Sequence, residues 1–140
     1  MAGPMSMRVL GIDYGSRHVG VALGDTETRV ASPWEVITTD SRLDLMRRIH
    51  EIVELEKIGT IVVGVPQPLR DRTRETDQAK EIRSFIEDLK AQGVPIVEAD
   101  ESLSSKLAAS QMRERGESGK RDDLAAAAIL QSWLDSSGRP

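Results

Sequence analysis

Cysteine is absent from the 140 residues, which excludes disulfide staples and thiolate metal sites and fits a reducing, cytoplasmic setting. Aromatic residues make up only 3%, so the core must be built from Val, Ile, Leu and Ala, the composition of a layered α/β fold. No apolar run approaches the roughly 20 residues that cross a bilayer, and no apolar secretory segment opens the chain, so no membrane partner is expected. An excess of positive charge is lacking too: the formal net charge is −4. That argues against a protein that only binds nucleic acid. It leaves room for an enzyme whose carboxylates hold divalent cations. The G-x-x-x-x-G-K-[ST] phosphate loop is missing, and no His/Cys zinc pattern competes, since His18 and His50 are isolated, His50 on a helix surface.

What is present begins after an unstructured lead over residues 1–6; residues 7–137 are expected to form a single domain. Val9, Leu10 and Ile12 make a short apolar run, the pattern of a central strand buried on both faces. Turn residues from Tyr14 to Arg17 lead to a second strand over Val19–Gly24, completing a hairpin, and Ser32–Thr38 predicts a third. The period then changes: Leu45, Ile49, Ile52, Val53 and Leu55 recur at helical spacing over 41–57, with Asp40 or Ser41 as cap. Thr60–Val65 is a β-branched strand without charge. A second helix runs from about Thr73 to Ala91 with Ala79, Ile82, Phe85, Ile86 and Leu89 inward, and stops before Gly93. A strand over Val94–Val97 follows, then helices from Leu103 to about Arg115 and from Asp122 to Asp135. The order β-β-β-α-β-α-β-α-α predicts a mixed five-stranded sheet with helices on both faces, an α/β fold.

Three groups of carboxylates stand out. Asp13 closes the first apolar strand, where a charge without a counterpart suffers desolvation of several kcal/mol. Its ordinary role would be an Asx-type cap of the Tyr14-Gly15 turn; a buried central strand and a following hairpin favour a functional one. Glu98, Asp100 and Glu101 cluster at the carboxyl end of the last strand, the end where open α/β sheets place ligands. Alternation groups Glu98 with Asp100 on one face and Val97 with Glu101 on the other. Asp122 and Asp123 start the alanine-rich last helix, where an Asp is also a good N-cap. Asp122 shares a stripe with Ala126, Ile129 and Trp133 and so faces the sheet, whereas Asp123 lies about 100° round. Carboxylates from these three places suit Mg²⁺, or Mn²⁺, and the hydrolysis of phosphodiesters.

The run Gly11-Ile12-Asp13-Tyr14-Gly15-Ser16-Arg17-His18-Val19-Gly20-Val21-Ala22 resembles the opening motif of the YqgF-like (RuvX) family. Val63-Gly64-Val65-Pro66, Asp100-Glu101-Ser102-Leu103-Ser104-Ser105 and Asp122-Asp123-Leu124-Ala125-Ala126 are similar to its later segments, in the same order and over nearly the whole chain. The resemblance implies an RNase H-like fold and a metal-dependent nuclease, acting in pre-16S rRNA 5′-end processing or as a Holliday junction resolvase on branched DNA. It implies catalytic and metal-binding acids at Asp13, Glu101 and Asp122, choosing Glu101 over its two acidic neighbours. One position departs: Ser102 stands where the family has arginine, and serine lacks the guanidinium's fork of donors. Lower activity, another substrate, or compensation by Arg17 or Arg70 follow as alternatives.

The expected nucleic-acid surface comprises Arg17, then Arg70, Arg72 and Arg74 in or after the loop beyond Pro66, and Arg113, Arg115, Lys120 and Arg121 before Asp122. Such runs are commonly solvated surface; their position beside the acidic residues is what suggests phosphate contact. Structured RNA or branched DNA would be the partner, the chain acting as monomer or homodimer. Two other readings compete. Sugar kinases and actin-like ATPases also carry Asp-x-Gly in a first hairpin, but they need a second, duplicated domain for which 140 residues leave no room. A catalytically weakened nucleic-acid-binding protein that keeps the fold is the other.

Overall fold

The computed structural model describes residues 7–15, 18–65, 77–100 and 122–136. The first strand, β1 (Arg8–Asp13), has every residue after Arg8 buried, as its unbroken apolar run requires. It pairs antiparallel with β2 (His18–Asp25), placing Asp13 opposite Gly20 and Ile12 opposite Val21. β2 pairs antiparallel with β3 (Val30–Thr38), an edge strand, which starts two residues earlier than its apolar pattern suggests. A register irregularity between Val21 and Ala22, together with Pro33, interrupts β3, devices that keep an exposed edge from recruiting other strands. β4 (Ile58–Val65) and β5 (Ile96–Asp100) add parallel on the other side, giving the order β3-β2-β1-β4-β5.

Helix α1 (Arg42–Leu55) is capped by Ser41, whose hydroxyl accepts from the Asp44 N–H at 3.2 Å. Leu45, Ile49, Ile52 and Val53 are buried, as expected. Leu55 is not: it is 74% exposed, because it sits about 100° off the stripe those four define. Helix α2 (Asp77–Leu89) buries Ala79, Ile82, Phe85, Ile86 and Leu89. A 3₁₀ turn over Lys90–Gln92 follows, and Gly93 ends it at φ 77°, the left-handed conformation that favours glycine. His50 is exposed on α1, within 3.1 Å of Gln92 Oε1.

Strand alternation divides the core. Leu10, Ile12, Val19, Val21, Ile61 and Val63 pack with α1 and α2 on one face. Val9, Ala22 and Val62 pack on the other against α3 (Asp122–Ser136) through Ala126, Ile129, Leu130 and Leu134. Helices thus cover both faces of a mixed five-stranded sheet. α3 is buried almost all round, Ala125 and Ala128 included, which explains its apolar character on every side. The helix expected over 103–115 lies outside the described residues. Among those described, no helix is long and apolar enough to cross a membrane.

Candidate active site

β1, β4 and β5 run parallel, so Asp13, Val65 and Asp100 end at the same edge of the sheet. Parity then decides which side each residue serves. An added Cβ on Gly11 would meet Leu130 and Ala126 of α3. Asp13, two residues on, therefore shares the α3 face with Gly11 and with its cross-strand partner Gly20. At Gly20 the helix reaches the sheet: a Cβ there would lie 1.9 Å from the Asp122 carbonyl oxygen. The first turn of α3 thus rests on the strand position facing Asp13. Adjacent strands lie about 4.8 Å apart, so the Asp122 backbone stands above a position one strand across the sheet from Asp13.

Both carboxylates are nearly buried, Asp13 at 8% and Asp122 at 7% exposure. A carboxylate with so little exposure is costly to keep charged unless donors or a cation stand beside it. Carboxylate oxygens are the hard donors that Mg²⁺ and Mn²⁺ take. The donor set therefore fits a divalent ion, although no group of three His, Cys, Asp or Glu suited to a metal occurs among the described residues. On β5, Val97 and Ala99 pack on the α3 side, which assigns Glu98 to the opposite face and away from Asp13. Glu101, expected as the third acid, and Ser102 lie outside the described residues. So do Arg17, Arg70, Arg72, Arg74, Arg113, Arg115, Lys120 and Arg121. Asp123 accepts the Leu124 N–H at 3.0 Å and is partly exposed. Asp122 thus takes the sheet side while Asp123 stays partly exposed, the division their helical offset suggests.

On the opposite face, the residue after Asp13 is locked in place by a cluster that the sequence did not announce. The Tyr14 ring stacks on Phe85 of α2 with centroids 4.4 Å apart. The Arg42 guanidinium lies 5.6 Å from each ring centroid. It donates from Nη2 to the Tyr14 hydroxyl at 3.1 Å and from Nη1 to Asp88 Oδ2 at 2.7 Å. The Tyr14 hydroxyl donates to Glu81 Oε1 at 3.1 Å. One side chain thus ties the β1 end to both helices. The contacts span 28 and 67 residues of sequence, beyond the reach of local periodicity.

Burial pushes the Tyr14 phenol above its usual pKa of 10.0; Arg42 opposes the shift and Glu81 adds to it. Because the folded value is the higher one, the stabilisation is complete below the unfolded pKa and is lost as pH rises through the folded pKa. Tyr14 is the only tyrosine of the chain, so ultraviolet titration of tyrosinate reads it alone. The expected midpoint lies above 10, and Glu81→Gln should bring it down by removing a raising contribution. A midpoint unmoved by that substitution would show that the Tyr14–Glu81 contact is not populated.

Comparison with known proteins adds three findings. Residues 7–136 match the family described as RuvX, Holliday junction resolvase. A protein of Anaeromyxobacter sp. (strain Fw109-5), provisionally named a pre-16S rRNA nuclease, is 40% identical over 135 residues, covering 92% of this chain and 97% of its own. A protein of Maridesulfovibrio salexigens with the same name is 34% identical over 134 residues, covering 91% and 98%. Among solved structures, RuvC of T. thermophilus in complex with a Holliday junction substrate superposes with a TM-score of 0.61 at 18% identity, over 93% of this chain and 94% of that one. The large terminase nuclease of phage G20c gives 0.58 at 14% identity, over 92% and 83%. These likenesses bear out the RNase H-like fold.

Proposed function

This chain belongs to the RuvX family, and from that premise we propose that it is a metal-dependent nuclease acting on the 5′ end of precursor 16S rRNA. The observation that carries the reading is that the Asp122 backbone is seated on Gly20, the strand partner of Asp13, with both acids nearly buried. The third acid is Glu101. The resemblance of Asp100-Glu101-Ser102 to the family's later segment is what selects it. The names of the curated relatives support the RNA substrate.

A bound Mg²⁺ or Mn²⁺ would supply a nucleophilic water and charge stabilisation at the phosphate. The protein's part is to hold the acids where their positions cannot drift. Asp13 is fixed by a fully paired central strand, and Asp122 by a helix seated on the sheet. Both lie in surroundings that exclude bulk water and so strengthen their hold on a cation. Arg17, Arg70, Arg72, Arg74, Arg113, Arg115, Lys120 and Arg121 would supply the phosphate contacts.

Branched DNA is the second reading, favoured by the family's description and by the junction-bound RuvC structure. Symmetrical cutting of a four-way junction needs two active sites and hence a dimer. The test offers the purified chain a precursor rRNA leader and a synthetic four-way junction, with Mg²⁺, Mn²⁺ or chelator. Cleavage of the RNA that stops with chelator and falls by at least about a hundredfold in Glu101→Gln is the expected result. Cleavage of the junction alone, by a dimer, would transfer the assignment to DNA. No metal-dependent cleavage of either would leave a nucleic-acid-binding protein that keeps only the fold.

A further inference from the structure

His18 begins β2 opposite Thr38 of β3. Counting back by twos from Gly20, it takes the α3 face, the one on which Asp13 and Asp122 meet. From the rise of a strand and the spacing of a pair, its Cα stands about 8 Å from that of Asp13. Unlike the two acids, His18 is exposed, and so is Thr38. The imidazole is not left to swing: its Nδ1 lies 3.1 Å from the Thr38 hydroxyl oxygen. That contact aims Nε2 away from β3. When the Thr38 hydroxyl donates to Nδ1, Nε2 carries the proton and is an outward-facing donor.

We propose that His18 is a substrate-binding residue of this active site, an Nε2–H donor to the phosphate of the nucleic-acid backbone one step from the scissile position, with Thr38 setting its orientation. The proposal rests on the nuclease reading only for the word scissile; the backbone contact itself can be measured without cleavage. The chemistry is complementary. Asp13 and Asp122 make this end of the sheet acidic, so an approaching phosphodiester needs donors at the rim, and phosphate contacts are what set register on a nucleic acid. An N–H held by a neighbouring hydroxyl serves that purpose without competing for the metal.

The test measures binding by fluorescence anisotropy in Ca²⁺ and cleavage in Mg²⁺, using a labelled precursor rRNA leader and a four-way DNA junction as probes. His18→Ala should weaken binding roughly tenfold, the scale of one hydrogen bond to a charged group. His18→Gln restores a side-chain N–H near the position of Nε2 and should bind within about threefold of wild type. Thr38→Val, which keeps the strand and removes only the orienting hydroxyl, should weaken binding roughly threefold. Wild-type affinity in His18→Ala on both probes overturns the proposal, even where Asp13→Asn abolishes cleavage and so upholds the nuclease reading. If the wild type cuts neither probe yet His18→Ala binds more weakly, the nuclease reading fails and the His18 contact stands. Should His18→Ala not fold, Thr38→Val decides, and wild-type affinity there counts against the contact.

Discussion

Asp13→Asn should lower the rate of phosphodiester cleavage by at least about a hundredfold, the scale on which losing a single charge-stabilising group in an active site is felt. The substitution is close to isosteric and keeps an oxygen acceptor, so packing is not the variable. What changes is charge, at a side chain only 8% exposed on the face where the start of α3 carries Asp122. A neutral amide holds a divalent cation far less well than a carboxylate. Stability should move the other way. Burial penalises the charge of Asp13, and neutralising it relieves part of that desolvation. In chelator the variant should therefore melt no lower than wild type. In excess Mn²⁺ the order should reverse, because a ligand bound only by the folded state adds about 2.7 kcal/mol at a hundred times its dissociation constant. Melting curves with and without Mn²⁺, alongside single-turnover cleavage, check both halves. A variant that melts much lower in chelator would mean that Asp13 chiefly satisfies the Tyr14-Gly15 turn.

Much of this arrangement could be read from the chain before any coordinates. Buried β1, the Ser41 cap, the inward face of α2 and the offset between Asp122 and Asp123 are local: each follows from residues within a turn or a strand of one another. β5 was harder. Its apolar pattern points to 94–97, yet it spans Ile96–Asp100. Gly93 and Pro95 delay its start: Gly93 takes a left-handed φ, and Pro95 lacks the N–H that a ladder needs, offering only its carbonyl to Ile61. It continues through Glu98 because β5, like β3, is an edge strand among the described residues, where a charge can reach solvent. The Tyr14–Arg42–Phe85–Glu81 cluster had no local signal. Nor did the place of His18, which looks isolated in sequence because its partner Thr38 comes from another strand. Gly20 reads as one more small residue in a strand. Only the seating of α3 reveals what it does.

That seating makes Gly20→Ala the most informative single-methyl change in the protein. The new Cβ would lie 1.9 Å from the Asp122 carbonyl oxygen, 2.2 Å from its carbon and 2.8 Å from the Asp123 nitrogen. All three are backbone atoms of the first turn of α3 and have no rotamer to yield, so the helix start must lift from the sheet. Gly24→Ala is the matched control on the same strand and face. Its Cβ would meet the tips of Leu130 and Leu134 at 3.0 and 3.1 Å, with the Val30 carbonyl oxygen at 3.3 Å, and leucine tips can rotate. Overpacking a core with an added methyl costs about 1–3 kcal/mol and sometimes more; Gly20→Ala should fall at or above the top of that range and Gly24→Ala below it. The functional contrast should be sharper. Lifting the first turn carries Asp122 away from Asp13, and a displacement of about 1 Å at a reacting centre is enough for a hundredfold loss. Gly20→Ala should therefore lose cleavage and Mn²⁺-dependent stabilisation together, even at temperatures where it remains folded, while Gly24→Ala keeps both. If folded Gly20→Ala retains Mn²⁺ stabilisation and near-wild-type cleavage, then the first turn of α3 does not set the Asp13–Asp122 separation, and the pairing of these two acids as one metal site must be abandoned.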